Sequence, residues 1–198
     1  MASSKSPLTR TLNELITPWA EQNGFAVSSP YVMVRERSDI GGKEIIEFQR
    51  SIKHPHRTYT VNLGLFHPDY CEYLPATPKD LSAMHCGREV RLGHLMTKSP
   101  WTRISRWYRY GSPWNFFELI PPYGDCWWQY GYSVEETVPS VRDTLQHLGT
   151  GGIAWFENLR RRSAITELFD PQKWAWHEFP GARAKGFGIG SPIGVSRP

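Results

Sequence analysis

Apolar positions follow a helical period at the start of the chain and then switch to alternation, and that change divides the sequence. Leu8, Leu12, Leu15, Ile16 and Trp19 fall on one helical face and predict a helix over residues 7–23. Ser6 is placed to cap it, and Pro7 takes the first helical position, where its missing N–H is no loss. Pro18 predicts a kink or an early end, and Gly24 a stop. Residues 31–37 are then β-prone, Asp39-Ile40-Gly41-Gly42 supplies a turn, and residues 43–51 form the partner strand with Ile45, Ile46 and Phe48. Residues 58–66 alternate well enough to be a third, central strand. Links this short favour an antiparallel meander, because parallel pairing needs a crossover of about a dozen residues or more.

Residues 67–83 are rich in proline and polar side chains and predict an excursion, after which residues 87–96 return to a strand-like pattern. Residues 101–125 hold aromatic clusters broken by Gly111, Pro113, Pro121 and Pro122. Helical period resumes at Ser133-Val134-Glu135-Glu136, which has capping-box spacing, and runs through Val138, Val141, Leu145 and Leu148. Gly149 to Gly152 predict its end, residues 153–160 a further helix, and residues 163–169 its continuation or a short third one. The expected architecture is α+β. A four- or five-stranded antiparallel sheet is covered on one face by the N-terminal helix and the C-terminal helices, and the other face is wholly or partly open. Residues 7–170 form one domain in this reading, with 171–198 a partly flexible, basic extension.

Three features in order carry a family resemblance. A first helix ends at Gly24-Phe25. A strand closing on Phe48-Gln49-Arg50-Ser51 is followed by Thr60-Val61-Asn62-Leu63-Gly64. Cys86, Arg88, Arg91 and Gly93 then precede a tryptophan-containing stretch and a helical C-terminal segment. Over residues 8–165 this order resembles the DUF4304 domain family, and the departures are the insert at 67–83 and the tail after 170. The resemblance implies a bacterial, mainly cytoplasmic α+β domain and supplies no activity or catalytic residue.

Charge changes the picture less than its total suggests. The formal net charge is +4, but the segment from Pro171 onward sets Lys173, Arg183, Lys185 and Arg197 against Glu178 alone, so the body is close to neutral. Local positive spots remain at Arg103, Arg106 and Arg109, and at Arg160, Arg161 and Arg162. Three widely spaced cysteines, Cys71, Cys86 and Cys126, do not read as a disulfide framework. No stretch approaches the roughly 20 apolar residues that span a bilayer, and residues 1–10 lack a signal-peptide core. A cytoplasmic location without membrane contact is the expectation.

Three clusters bear chemistry. Gln49, Arg50, Tyr59 and Asn62 are expected on one sheet face beside Arg88 and Arg91, where arginine would grip a carboxylate or phosphate. The plain alternative is an ordinary solvated face. His67, Cys71, His85, Cys86 and His94 are metal-compatible types, but their spacing lacks a Cys-x2-Cys or His-x3-His pair, so neither a metal nor another cofactor is expected. A cysteine nucleophile beside one of these histidines has no more than chance spacing behind it. The run from Trp101 to Trp114 interleaves Arg103, Arg106, Trp107 and Arg109 with aromatic rings. That composition suits a protein interface. It also suits single-stranded nucleic acid, although a near-neutral body weakens that case.

With no credible catalytic set, the chain reads as a module that binds a macromolecule, an immunity or antitoxin-like protein with a protein partner. The rival is an enzyme or ligand-binding protein that holds an anionic substrate with Arg50, Arg88 and Arg91. Convergence of those arginines at the floor of a pocket would favour the rival.

Overall fold

The computed structural model describes residues 6–51, 57–71, 81–96, 126–161 and 164–169. Helix α1 (Pro7–Gln22) opens with the Ser6 hydroxyl accepting from the Thr9 N–H at 3.2 Å. It continues through Pro18 without a break. Pro18 lies on the exposed side, while Leu8, Leu12, Ile16 and Ala20 bury the opposite stripe, so packing outweighs one lost backbone hydrogen bond. The helix ends at Asn23 and Gly24, the latter at φ +72, where a side chain would be strained.

Strands β1 (Ala26–Ser29), β2 (Val32–Arg37), β3 (Gly42–Arg50), β4 (Thr58–Phe66) and β5 (Arg88–Arg91) follow in sequence order across one antiparallel sheet. A two-residue strand, β6 (Trp128–Gln129), pairs with the start of β4 beyond the reach of β5. The α+β expectation therefore holds, with β1 as an added edge strand. The strand-like run at 87–96 is correct only over β5, because Leu92–Leu95 closes into a single helical turn, α2.

Helix α3 (Val134–His147) starts on the expected cap. The Ser133 hydroxyl accepts from the Glu136 N–H at 3.2 Å, and the Glu136 carboxylate reaches back to the Tyr132 N–H at 2.8 Å. The glycines at 149–152 do not end the helical path. Residues Leu148–Gly152 form one wide turn that passes directly into α4 (Ile153–Arg160), followed by α5 (Ile165–Phe169). The turn brings its small residues against α2: a Cβ on Gly151 would lie 3.2 Å from the Leu95 carbonyl oxygen.

The strand register sorts side chains onto two faces. Met33, Ile46, Phe48, Tyr59, Val61, Leu63 and Leu65 face α1, α3 and α4, where Leu8, Leu12, Ile16, Val141, Trp155 and Phe156 complete the main core. The second face is open only in part. Every residue of β4 is buried, and the short turn Ala83–His85 lies on that face, joining Val32, Ile45, Phe66 and Leu81 in a smaller cluster. A cleft of about 440 Å³ remains over Ala26, Ser28, Val34 and the Glu36–Lys43 ion pair.

Candidate functional site

The expected gathering of Gln49, Arg50, Tyr59 and Asn62 on one face does not occur. Arg50 pairs with Tyr59 across β3 and β4, and Glu47 with Asn62, so alternation sends Arg50 and Tyr59 to the helix face and Gln49 and Asn62 to the other. Asn62 donates to the Gln49 side-chain oxygen at 3.0 Å on that second face. Tyr59 is fully buried and shares its hydroxyl with Thr144 at 2.9 Å and Ser140 at 3.3 Å. Burial pushes its pKa well above the usual phenol value, which suits a structural hydroxyl rather than a proton donor to substrate.

The three arginines of the anionic-substrate reading are also dispersed. Arg88 pairs with Leu65, six residues along β4 from the Tyr59 partner of Arg50, which is roughly 20 Å of strand. Arg88 is buried and donates to the Leu168 carbonyl at 3.2 Å. Arg91 pairs with Asn62 on the opposite face, its guanidinium 5.6 Å from the centre of the Trp127 ring. They do not form the floor of one pocket.

A different ionic cluster, which sequence patterning did not single out, lies inside the helix face. Glu44 is fully buried and receives Arg35, Arg37 at 3.2 Å and both Nε and Nη2 of Arg160, at 3.0 and 3.1 Å. Arg37 also grips Asp39 with two hydrogen bonds, at 2.8 and 2.6 Å, which holds the Asp39 carboxyl below the usual range. Arg35 lies over the Phe25 ring at 4.3 Å. Arg160, counted above as part of a positive surface spot, is thus committed to tying α4 to β3, while Arg161 is exposed.

The metal-compatible residues are equally committed or separated. His67 is buried, with Nδ1 accepting from the Asp69 N–H at 3.1 Å and its ring packed near Tyr70 and Phe169. Among the described residues no three His, Cys, Asp or Glu side chains are grouped to hold an ion. Burial raises the Cys86 thiol far above its ordinary pKa, the reverse of what an activated nucleophile requires. The run from Trp101 to Trp114, with Arg103, Arg106, Trp107, Arg109 and Trp114, lies outside the described residues.

An arginine–aromatic surface does form elsewhere, at the end of the sheet where β3 finishes and β4 begins. Arg50 is exposed there, near the Tyr31 hydroxyl, which raises its pKa. Tyr31 is fixed in turn by Thr9 at 2.7 Å, and Thr9 by the cap residue Ser6 at 2.8 Å. Beside it, the Arg57 Nη1 donates to the Gly131 carbonyl at 3.1 Å while its guanidinium lies 3.9 Å from the centre of the Tyr132 ring. Tyr130 is held between them by a 2.8 Å backbone bond to the Arg57 carbonyl, and its ring leans on buried Tyr59 at 6.4 Å. Tyr132 is 79% exposed, the largest value among the exposed bulky apolar side chains described.

No family model, curated protein or solved structure matches this chain. The functional reading therefore starts from this surface. Its elements are the exposed Tyr132, the half-buried Tyr130, the arginines Arg50 and Arg57, and a buried aromatic base of Tyr59, Trp128 and Phe48 below them. Such a surface can stack on a flat partner group and donate to carboxylates or carbonyls.

Proposed function

We propose that this protein is a recognition module that binds a protein partner through the tyrosine–arginine end of its sheet. The observation that carries the reading is the pairing of Arg57 with Tyr132, a ring 79% exposed yet held at 3.9 Å by a guanidinium that is itself anchored to Gly131. Tyrosine and arginine are enriched among the side chains that carry most binding energy at protein interfaces, and tyrosine buries much area while losing little conformational freedom. Rigid support from Tyr31, Thr9 and Tyr59 lowers the ordering penalty on association further.

The test is affinity purification of the tagged full chain from the cells that produce it, run in parallel for wild type, Arg57→Ala and Tyr132→Ala. One protein recovered in equal amount with wild type, and lost with both variants while their melting temperatures stay unchanged, supports the reading. Retention of the partner by both variants sinks it. Recovery of nucleic acid whose yield falls steeply with added salt replaces it with single-strand binding.

A further inference from the structure

Two half-buried thiols pack against one cluster on the second face of the sheet. Cys71 follows the short turn Pro68–Tyr70, and Cys86 follows the turn Ala83–His85. Both pack against the same cluster of Val32, Ile45, Phe66, Leu81 and Ala83. The two turns are in contact, since a Cβ on Gly87 would collide with the Tyr70 carbonyl oxygen. Both thiols are free, whereas the third, Cys126, is buried in the main core on the other side of the molecule's packing.

We propose that Cys71 and Cys86 form a redox-modification site, closed to an intramolecular disulfide by a small-molecule disulfide such as oxidised glutathione. In the first step the Cys71 thiolate attacks one sulfur of the oxidant, forming a mixed disulfide and releasing one glutathione. In the second, Cys86 loses its proton and attacks the Cys71 sulfur, expelling the second glutathione. Two protein S–H bonds become one S–S bond, and the two electrons and two protons leave on the two glutathione thiols.

The environment sets the order of these steps. The Cys86 thiol is directed at the Ser82 carbonyl oxygen at 3.5 Å, and burial disfavours its thiolate, so it is a poor first attacker. Its reactivity comes from confinement beside a Cys71 sulfur already activated by the mixed disulfide. The bond then ties together the two turns that cover this face, leaving the tyrosine–arginine end untouched.

The experiment equilibrates the full-length protein in glutathione buffers of graded redox ratio, blocks remaining thiols, and maps peptides without reduction. The expected product is a monomer carrying a Cys71–Cys86 linked peptide that dithiothreitol reverses. It is retained in Cys126→Ser and lost in Cys71→Ser. Oxidation should also raise the melting temperature of wild type and leave that of Cys71→Ser in place. Glutathione retained on Cys71 without a cross-link, a bridge that includes Cys126, or cross-linked dimers alone would overturn the proposal. The wild-type peptide map decides by itself, so a variant that fails to fold does not spare it.

Discussion

Gly64 stands where the second turn presses closest on β4. A Cβ there would lie 2.6 Å from the Cys86 Sγ and 2.9 Å from the Ala83 Cα, and the backbone atom cannot rotate away. Gly64→Ala is therefore expected to lose about 1–3 kcal/mol, the usual range for overpacking, measured by urea unfolding. A loss near zero would mean that the turn yields as a unit. Tyr59 makes the complementary case, a polar atom closed inside the main core. Tyr59→Phe removes one hydroxyl, but Thr144 keeps its hydrogen bond to the Ser140 carbonyl at 3.0 Å. The expected loss is thus about 1 kcal/mol, a single hydrogen bond rather than a stranded buried group. Sequence alone groups Tyr59 with Gln49, Arg50 and Asn62 on one face, yet residues 59 and 62 are three apart in one strand and so lie on opposite faces. Only the pairing with Arg50 and Trp128 shows that the whole column faces the helices.

Elements defined by local chemistry were legible, and those defined by distant partners were not. The Ser6 and Ser133 caps and the alternation of residues 58–66 belong to short windows, and α1, α3 and β4 came out close to their observed ends. The continuity of α3 into α4 depends on α2 packing beside the wide turn, which no window contains. The Glu44 cluster is the clearest instance, since Arg160 is 116 residues from the carboxylate it grips. Glu44→Gln leaves three guanidiniums around a neutral amide and is expected to destabilise by about 3–5 kcal/mol, as for other broken buried ion pairs. Asp39 tests the outer edge of the same network through pH. Its folded pKa is depressed by Arg37 below the ordinary 3.8, so the pair's contribution is complete above that value and fades as pH falls through the lower, folded one. Asp39 is more than half exposed, so the effect is small, at most about 1 kcal/mol. Melting curves of wild type and Asp39→Asn should differ slightly at neutral pH and converge in acid.

At the scale of the whole molecule, the layout separates what holds the fold from what is offered to a partner. The helix face spends its buried polar groups internally, on Glu44 between β3 and α4 and on Tyr59 between β4 and α3. The tyrosine–arginine end differs because Tyr132 and Arg50 touch solvent while their supports lie underneath. If that division is real, stability and binding should respond to different substitutions a few ångströms apart. Tyr132→Ala removes an exposed ring whose cation–π contact is worth about 0.5–1 kcal/mol at such a site, so unfolding should change little. Partner affinity should fall by about 2 kcal/mol or more, as for a truncated hot-spot aromatic, which is some thirtyfold in Kd. Tyr59→Phe should do the reverse, lowering stability while leaving affinity within a factor of about 2, because the ring that supports Tyr130 is kept. Denaturation curves and calorimetric titration against the captured partner read both quantities on the same two variants. Parallel losses in both variants would place the binding energy in the fold as a whole and remove this end of the sheet as its source.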